Sequence, residues 1–259
     1  MSNKKIISLK DFADKNDIRL KNQKIIVEEV SKIITEKFHY AKGQIKFNFD
    51  ELLDTTQSEI YRVYLEYEQK YGEDVFKFFI KYLIDKGEIK NLSQTGEVLG
   101  KYFKLFDAFF LSIAQSRKSR AGKSFEAIHN VLFKKLEYPF DEQKVINGKP
   151  DFIMPSYDHF LKNPIDCIIF TAKRTLRERW RQIVTEGTRG LGFYLATIDE
   201  GISANQLVEA HGSRIYIVCP ARIKNKFYKD KVNVLSFTQF FKDHLDPAME
   251  RWRRNNVIK

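Results

Sequence analysis

Between Lys149 and Gly190 charged residues stand where two apolar runs begin and end. A Pro150-Asp151 pair enters one run, and a second, Ile165 to Phe170, ends in Thr171-Ala172-Lys173. A charged helix is predicted immediately after, reading Leu176-Arg177-Glu178-Arg179-Trp180-Arg181-Gln182 and reaching Glu186. This pattern puts an acid and a lysine at the ends of two short strands, with a second acid on the next helix. Carboxylates converging beside a cation suit a hard, oxygen-ligated ion such as Mg2+. Such an ion activates water and stabilises charge developing on a phosphate, which is the chemistry of phosphodiester cleavage.

Asp151 and Lys173 by themselves are equally served by a structural ion pair, because an unpaired ammonium at the end of a buried strand is costly. Glu186, thirteen residues past Lys173, turns the pair into a candidate metal-carboxylate-lysine site. Lys173 would then orient the water or offset negative charge. Arg177, Glu178 and Arg179 open the helix beside it. Alternating charge is commonplace on a solvated helix face, but next to a nuclease centre it has a second use. Arginine pairs bidentately with guanine O6 and N7 and glutamate accepts from cytosine N4, so the trio can read a G·C pair. Trp180, with Ile183 and Val184 on neighbouring positions, is expected to pack the helix onto the sheet.

A second basic stretch, Arg117-Lys118-Ser119-Arg120-Ala121-Gly122-Lys123-Ser124-Phe125-Glu126, carries four cations in seven positions. It is expected just ahead of a helix whose apolar positions are Phe125, Ile128, Val131 and Leu132. Arg117, Arg120, Lys123 and free backbone N–H groups could there hold phosphate oxygens, or the stretch could be a solvated basic turn. Gly122-Lys123-Ser124 lacks the upstream glycine spacing and the preceding strand of a nucleotide-binding loop.

The elements that position these residues fall into two regions. Up to about residue 110 the periodicity is helical: Asn22 to Phe38, then helices marked by Ile60 to Tyr67, by Phe76 to Ile84, and by Tyr102 to Gln115, which Phe103, Phe106, Phe109 and Phe110 are expected to make largely buried. That region is expected to support the core, form an oligomer interface or contact the ligand. From Phe140 short strands at Gln143 to Ile146, Asp151 to Met154, Ile165 to Lys173, Phe193 to Ile198 and Arg214 to Val218 alternate with helices. Those helices are Arg177 to Thr188, Ala204 to His211 and Ile223 to Tyr228. A last strand, Val232 to Ser236, and helix, Thr238 to His244, finish an α/β core with a central mixed β-sheet flanked by helices. The Trp252-Arg253-Arg254 tail is expected to lie loose.

Composition agrees with an ordinary globular protein. The 259 residues are 43% apolar, and 45 Lys and Arg against 34 Asp and Glu give a net charge of +11, which favours a polyanionic partner. No signal peptide and no membrane-length apolar run is present, so a soluble, cytoplasmic protein is expected. Cys167 and Cys219 stand in separate predicted strands as reduced core thiols. The five histidines are scattered, without zinc spacing.

Together these segments resemble the group of type II restriction endonucleases that includes EcoRII, PspGI and SsoII, a branch of the PD-(D/E)XK nucleases. The likeness runs from Ser119-Arg120-Ala121-Gly122-Lys123-Ser124-Phe125-Glu126 through Pro150-Asp151-Phe152, Ala172-Lys173 and Arg177 to Gln182 with Glu186. It continues at Glu200-Gly201-Ile202-Ser203 and Val218-Cys219-Pro220. The resemblance covers roughly Arg117 to Tyr228 and implies a restriction-endonuclease-like core, expected at 111–259; the N-terminal helical region at 1–110 carries little of it and rests on the periodicity above. By this likeness Asp151 is the metal-binding aspartate and Lys173 the catalytic lysine. Glu186 is the acid that in this branch has moved onto the helix, which leaves Thr171 at the older position. Glu126 matches an acid that can join the metal shell, and Arg177, Glu178 and Arg179 match the segment that reads outer G·C pairs. The resemblance also implies a homodimeric, Mg2+-dependent enzyme that cuts double-stranded DNA at sites such as CCNGG, CCWGG or CCGG, with a cognate methyltransferase protecting host DNA. A repair or resolvase-type nuclease on the same fold and a non-catalytic DNA-binding protein are the competing readings.

Overall fold

The computed structural model describes residues 8–37, 42–146, 149–176, 180 and 192–259. The helices before residue 140 are α1 (Leu9–Lys15), α2 (Gln23–Lys37), α3 (Lys42–Phe47), α4 (Phe49–Asp85), α5 (Thr95–Lys101) and α6 (Phe103–Lys135). None is long and apolar enough to cross a membrane. Two compact units form, Met1–Ile26 with Ser58–Ala121, and Val27–Gln57 with Gly122–Lys259.

In the first unit α1 begins where the Ser8 hydroxyl accepts the Asp11 N–H at 2.9 Å, which satisfies a donor the helix itself leaves free. Phe12 then packs edge-on against Phe79, with Val75, Leu83 and Phe109 completing the interior. Of the aromatic run expected to be buried at the start of α6, Phe109 is buried while Phe103 and Phe110 are exposed. Successive residues on a helix are about 100° apart, which places the four phenylalanines within one arc of about 120°; the buried stripe is centred on the Phe109 side of that arc, and Phe103 and Phe110 lie at its exposed edge.

Helices expected as separate pieces are joined. The segments around Ile60 and Phe76 lie in the single helix α4, and those around Phe103 and Phe125 in α6. Gly72 and Gly122 sit inside these helices, each in open space. An interior glycine costs about 1 kcal/mol relative to alanine, which tertiary packing readily exceeds. The basic stretch from Arg117 to Glu126 is therefore mid-helix. Its backbone N–H groups are consumed by the helix, and the anion-binding helix start expected there does not exist.

The second unit is built on a six-stranded sheet in the order β1 (Asp141–Glu142), β2 (Phe152–Met154), β3 (Ile168–Ala172), β4 (Gly192–Ala196), β5 (Ile215–Cys219) and β6 (Val234–Ser236). The β1–β2 and β2–β3 pairs are antiparallel and the later pairs parallel. Two strands are shorter than their apolar runs predict. Gln143 takes a φ of 51° and leaves the ladder, so the first strand is Asp141–Glu142 and not Gln143 to Ile146. Pro164–Asp166 form a 3-10 turn, so β3 begins at Ile168 and not Ile165.

Period-two alternation gives the sheet two distinct faces. Ile169, Phe193, Leu195, Ile215 and Ile217 point to one side, covered by Leu176, Trp180, α7 (Tyr157–Lys162), α8 (Ala204–Gly212) and α9 (Ala221–Phe227), through residues including Phe160, Leu207 and Ile223. The other face is aromatic. Phe170 meets Phe133, His129, Phe152 and Phe240 at ring separations of 5.1, 5.5, 6.0 and 5.4 Å.

The chain finishes with α10 (Phe237–Phe240), a π turn (Phe241–Leu245) and α11 (Asp246–Arg254). The loose tail expected at Trp252 is instead a packed helix: Trp252 is fully buried and its indole N–H donates to Asp166 O at 2.9 Å. Arg251 pairs with the Asp166 carboxylate as well. These contacts hold the turn that leads into β3. Trp252→Ala is expected to destabilise the protein by about 3–5 kcal/mol in urea unfolding; a loss below about 0.5 kcal/mol, the level of a surface position, would show that the tail does not anchor the strand.

Candidate active site

The antiparallel register that pairs Phe152 with Phe170 carries Asp151 opposite Thr171. Asp151 is 5% exposed, and its carboxylate is met by protein donors on nearly every side. Oδ2 accepts from Ala172 N at 2.7 Å, Thr171 Oγ1 at 2.9 Å and Lys173 Nζ at 2.9 Å. Among the described residues Oδ1 receives Lys173 Nζ alone, at 3.1 Å. Oδ1 therefore keeps lone-pair capacity for a further partner. Lys173 is fixed by its backbone too, since its N–H donates to Ala196 O at 2.9 Å and continues the β3–β4 ladder. The predicted acid-lysine pair is thus present, and Thr171 has a definite task in holding the acid.

Glu126 reaches the same neighbourhood from α6. Burial and the Asp151 charge raise its carboxyl above the ordinary range, while a hydrogen bond from Gln143 and the Lys173 charge oppose that rise. Gln143, which carried no signal in the sequence, joins the two acids. Its side-chain Nε2 donates to Glu126 Oε1 at 2.8 Å and its backbone N–H to Asp151 O at 3.0 Å. Its left-handed φ makes both bonds possible, and no residue pattern announces a glutamine in that conformation. His129, one turn further along α6, is fully buried among Phe125, Phe133 and Phe170. Nδ1 donates to Phe125 O at 2.7 Å, Nε2 has no hydrogen-bond partner among the described residues, and burial pushes the ring down to about 4, so it is neutral at physiological pH.

The other expected site residues are distributed differently. Arg117 forms an ion pair with the buried Glu68. Arg120 donates to Lys21 O and Gln23 Oε1 and stacks over Tyr64. Both are thus engaged within the chain. Lys123 is exposed one turn before Glu126. Arg177, Glu178, Arg179 and Glu186 lie outside the described residues. Buried Cys167 and Cys219 are free thiols, as expected, and burial pushes both up to about 12.

A divalent cation fits the donor chemistry present. Asp151 Oδ1 and the Glu126 carboxylate are hard oxygens, and Glu126 is a carboxylate whose charge is disfavoured until a cation relieves it. Among the described residues no third acid or histidine completes a ligand set.

A mixed sheet bearing an aspartate and a lysine at adjoining strand ends defines the restriction-endonuclease fold class. Metal-depleted Ecl18kI in complex with uncleaved DNA superposes with a TM-score of 0.78 at 26% identity, over 97% of this chain and 86% of that one. The PspGI–substrate DNA complex, at 20% identity, shares the fold with a TM-score of 0.61 over 87% and 93%. In sequence, the type II restriction enzyme SsoII of Shigella sonnei is 34% identical over 194 residues, 69% of this chain and 62% of the relative. EcoRII of Escherichia coli is 33% identical over 142 residues, 51% of this chain and 35% of the relative. The match thus spans less than two thirds of either relative's length. The EcoRII C-terminal model matches residues 83–241, and the chain belongs to that family.

The Glu126 environment has a measurable consequence. A carboxyl whose pKa is raised by folding contributes stability that is fully present below its unfolded value, about 4.3, and lost as pH rises through the folded value. Glu126→Gln removes that loss and can still accept the Gln143 hydrogen bond. Without divalent ions the variant is expected to be more stable than the parent near about pH 7, with the gap closing toward about pH 4. Urea unfolding at the two pH values checks this, and a variant less stable than the parent near neutrality would contradict the charge assignment.

Proposed function

We propose that the chain is a type II restriction endonuclease that hydrolyses phosphodiesters in duplex DNA with Mg2+. The observation that carries this reading is the Asp151 carboxylate held against Lys173, with Glu126 beside it, in a chain of the EcoRII C-terminal family. The relatives named as restriction enzymes and the Ecl18kI complex with DNA lend support.

Asp151, Glu126 and Glu186 would hold the ion. Bound there, Mg2+ lowers the pKa of a water and neutralises charge on the phosphoryl oxygens. Lys173, its ammonium already 2.9 Å from Asp151, orients the attacking water and offsets charge on the scissile phosphate. The water oxygen bonds to phosphorus, the opposite P–O bond breaks, and the departing oxygen gains a proton. Arg177, Glu178 and Arg179, entering the chain four residues after Lys173, read the outer G·C pairs of a CC/GG-flanked site by major-groove hydrogen bonds. Two copies acting as a homodimer would cut both strands in the cytoplasm, with a cognate methyltransferase protecting host DNA. Lys123 and the net charge of +11 favour contact with the phosphate backbone; Arg117 and Arg120 would join that contact at their exposed edges.

The competing reading is an ion pair of purely structural use in a DNA-binding protein, which the dense hydrogen bonding of Asp151 would also serve. Lys173→Ala separates the two: cleavage is expected to vanish while specific binding of duplex DNA persists in metal-free gel retardation. Loss of both, or retention of cleavage, would remove Lys173 from the chemistry. Arg179→Ala is expected to cost about 1–3 kcal/mol of discrimination at one G·C pair. Unchanged discrimination would take Arg179 out of the reading set.

A further inference from the structure

Two carboxylates that are to share one cation repel each other until it arrives. The Asp151 charge acts on Glu126 in this way, and so does the charge of Glu142. A glutamate on a helix relieves such repulsion by rotating away, and the freedom it gains has to be given up again when the ion binds. Asp151 is already fixed by Thr171, Ala172 and Lys173. Glu126 is the acid that still needs a hold.

Gln143 supplies one. It follows β1 directly, where the ladder pairs Asp141 with Ile153 and Glu142 with Phe152. The next position sets Gln143 across from Asp151, and its N–H donates to Asp151 O at 3.0 Å. At a φ of 51° its side chain meets α6, where Nε2 donates to Glu126 Oε1 at 2.8 Å. One residue thus ties the backbone of one acid to the carboxylate of the other. Glu142, the next residue back, is drawn aside by Lys134 at 3.3 Å. The residue type suits the task. An amide donates without charge, whereas lysine there would compete with a cation and an ionised glutamate would repel Glu126 and could not donate. A carboxylate offers about four lone-pair sites, so one amide bond leaves Glu126 capacity for a metal ion. Gln143 is itself exposed, so its amide fills no space in the core and packing gains little from it.

We propose that Gln143 is a positioning residue of the metal site: its amide holds Glu126 in the orientation in which that acid and Asp151 face one divalent cation. This rests on Asp151 and Glu126 holding the ion, as proposed above. Gln143 does not touch the cation. Removing a hydrogen-bond partner of a metal ligand typically costs about 10–100-fold in affinity.

The test measures Mn2+ binding to the full chain by electron paramagnetic resonance without DNA, and the Mg2+ concentration that gives half-maximal cleavage of plasmid DNA. Gln143→Gly accepts the left-handed backbone without strain and keeps the bond to Asp151 O, while Gln143→Met keeps the side-chain length and removes the donor. Both are expected to weaken Mn2+ binding about tenfold and to raise the Mg2+ midpoint by a similar factor, with cleavage at saturating Mg2+ close to the parent's. Glu126→Gln is expected to weaken Mn2+ binding as well. Adding Gln143→Met to it should change nothing further, because the amide acts through Glu126. Parent affinity in both Gln143 variants beside a weakened Glu126→Gln overturns the positioning role alone. A loss confined to Gln143→Gly, or losses that add in the double variant, overturns it too. Parent affinity in Glu126→Gln removes that acid from the ligand set, and the role of Gln143 with it.

Discussion

A carboxylate buried where two strands meet is the constraint on which the catalytic end of the molecule depends. Asp151 cannot be left without partners in that position, since a charged group out of water costs several kcal/mol unless paired and hydrogen-bonded. The fold supplies those partners from three successive residues: the Thr171 hydroxyl, the Ala172 N–H and the Lys173 ammonium. They can reach it only because β2 and β3 run antiparallel in the register that sets Phe152 beside Phe170. That register is in turn held by an aromatic core on one face and aliphatic packing on the other. Slipping it by one residue would turn Asp151 and Lys173 to opposite faces of the sheet.

The rest of the second unit can be understood as keeping those two strands still. Trp252 and Arg251 lock the turn before β3 from the C-terminal helix. His129 fills the space between α6 and Phe170, accepting burial in its neutral form. Gln143 leaves the first strand early and in doing so ties Glu126 to the loop that ends in Asp151. The acids are thus set by backbone and core contacts before any ligand arrives, as preorganised electrostatics requires.

Much of this was legible in the sequence because it comes from periodicity and from the cost of burying charge. Short apolar runs gave the strands, and a lysine closing one of them demanded an acid, which Asp151 supplies. The unread parts have specific causes. The helices marked by Ile60 and Phe76, and those marked by Phe103 and Phe125, were read as separate because local propensity is weak against packing, and the joined α6 removed the phosphate-binding turn inferred for Arg117 to Glu126. Pro164 shortened β3 by a turn that its apolar run concealed. Gln143 could not be found, since its place comes from a φ of 51° that no side-chain type announces. The hydrogen-bond partners of Leu176 and Trp180, Asp199 and Glu209, stand more than twenty positions away, a pairing that only the parallel β3–β4–β5 arrangement brings about.

The most direct test of metal-dependent, site-specific cleavage is digestion of a sequenced plasmid with Mg2+, beside an EDTA control, with sequencing of the fragment ends. The expected result is a discrete set of ends that all lie at one CC/GG-flanked sequence and that disappear with EDTA. Intact DNA in both reactions, or ends scattered without regard to sequence, would contradict it.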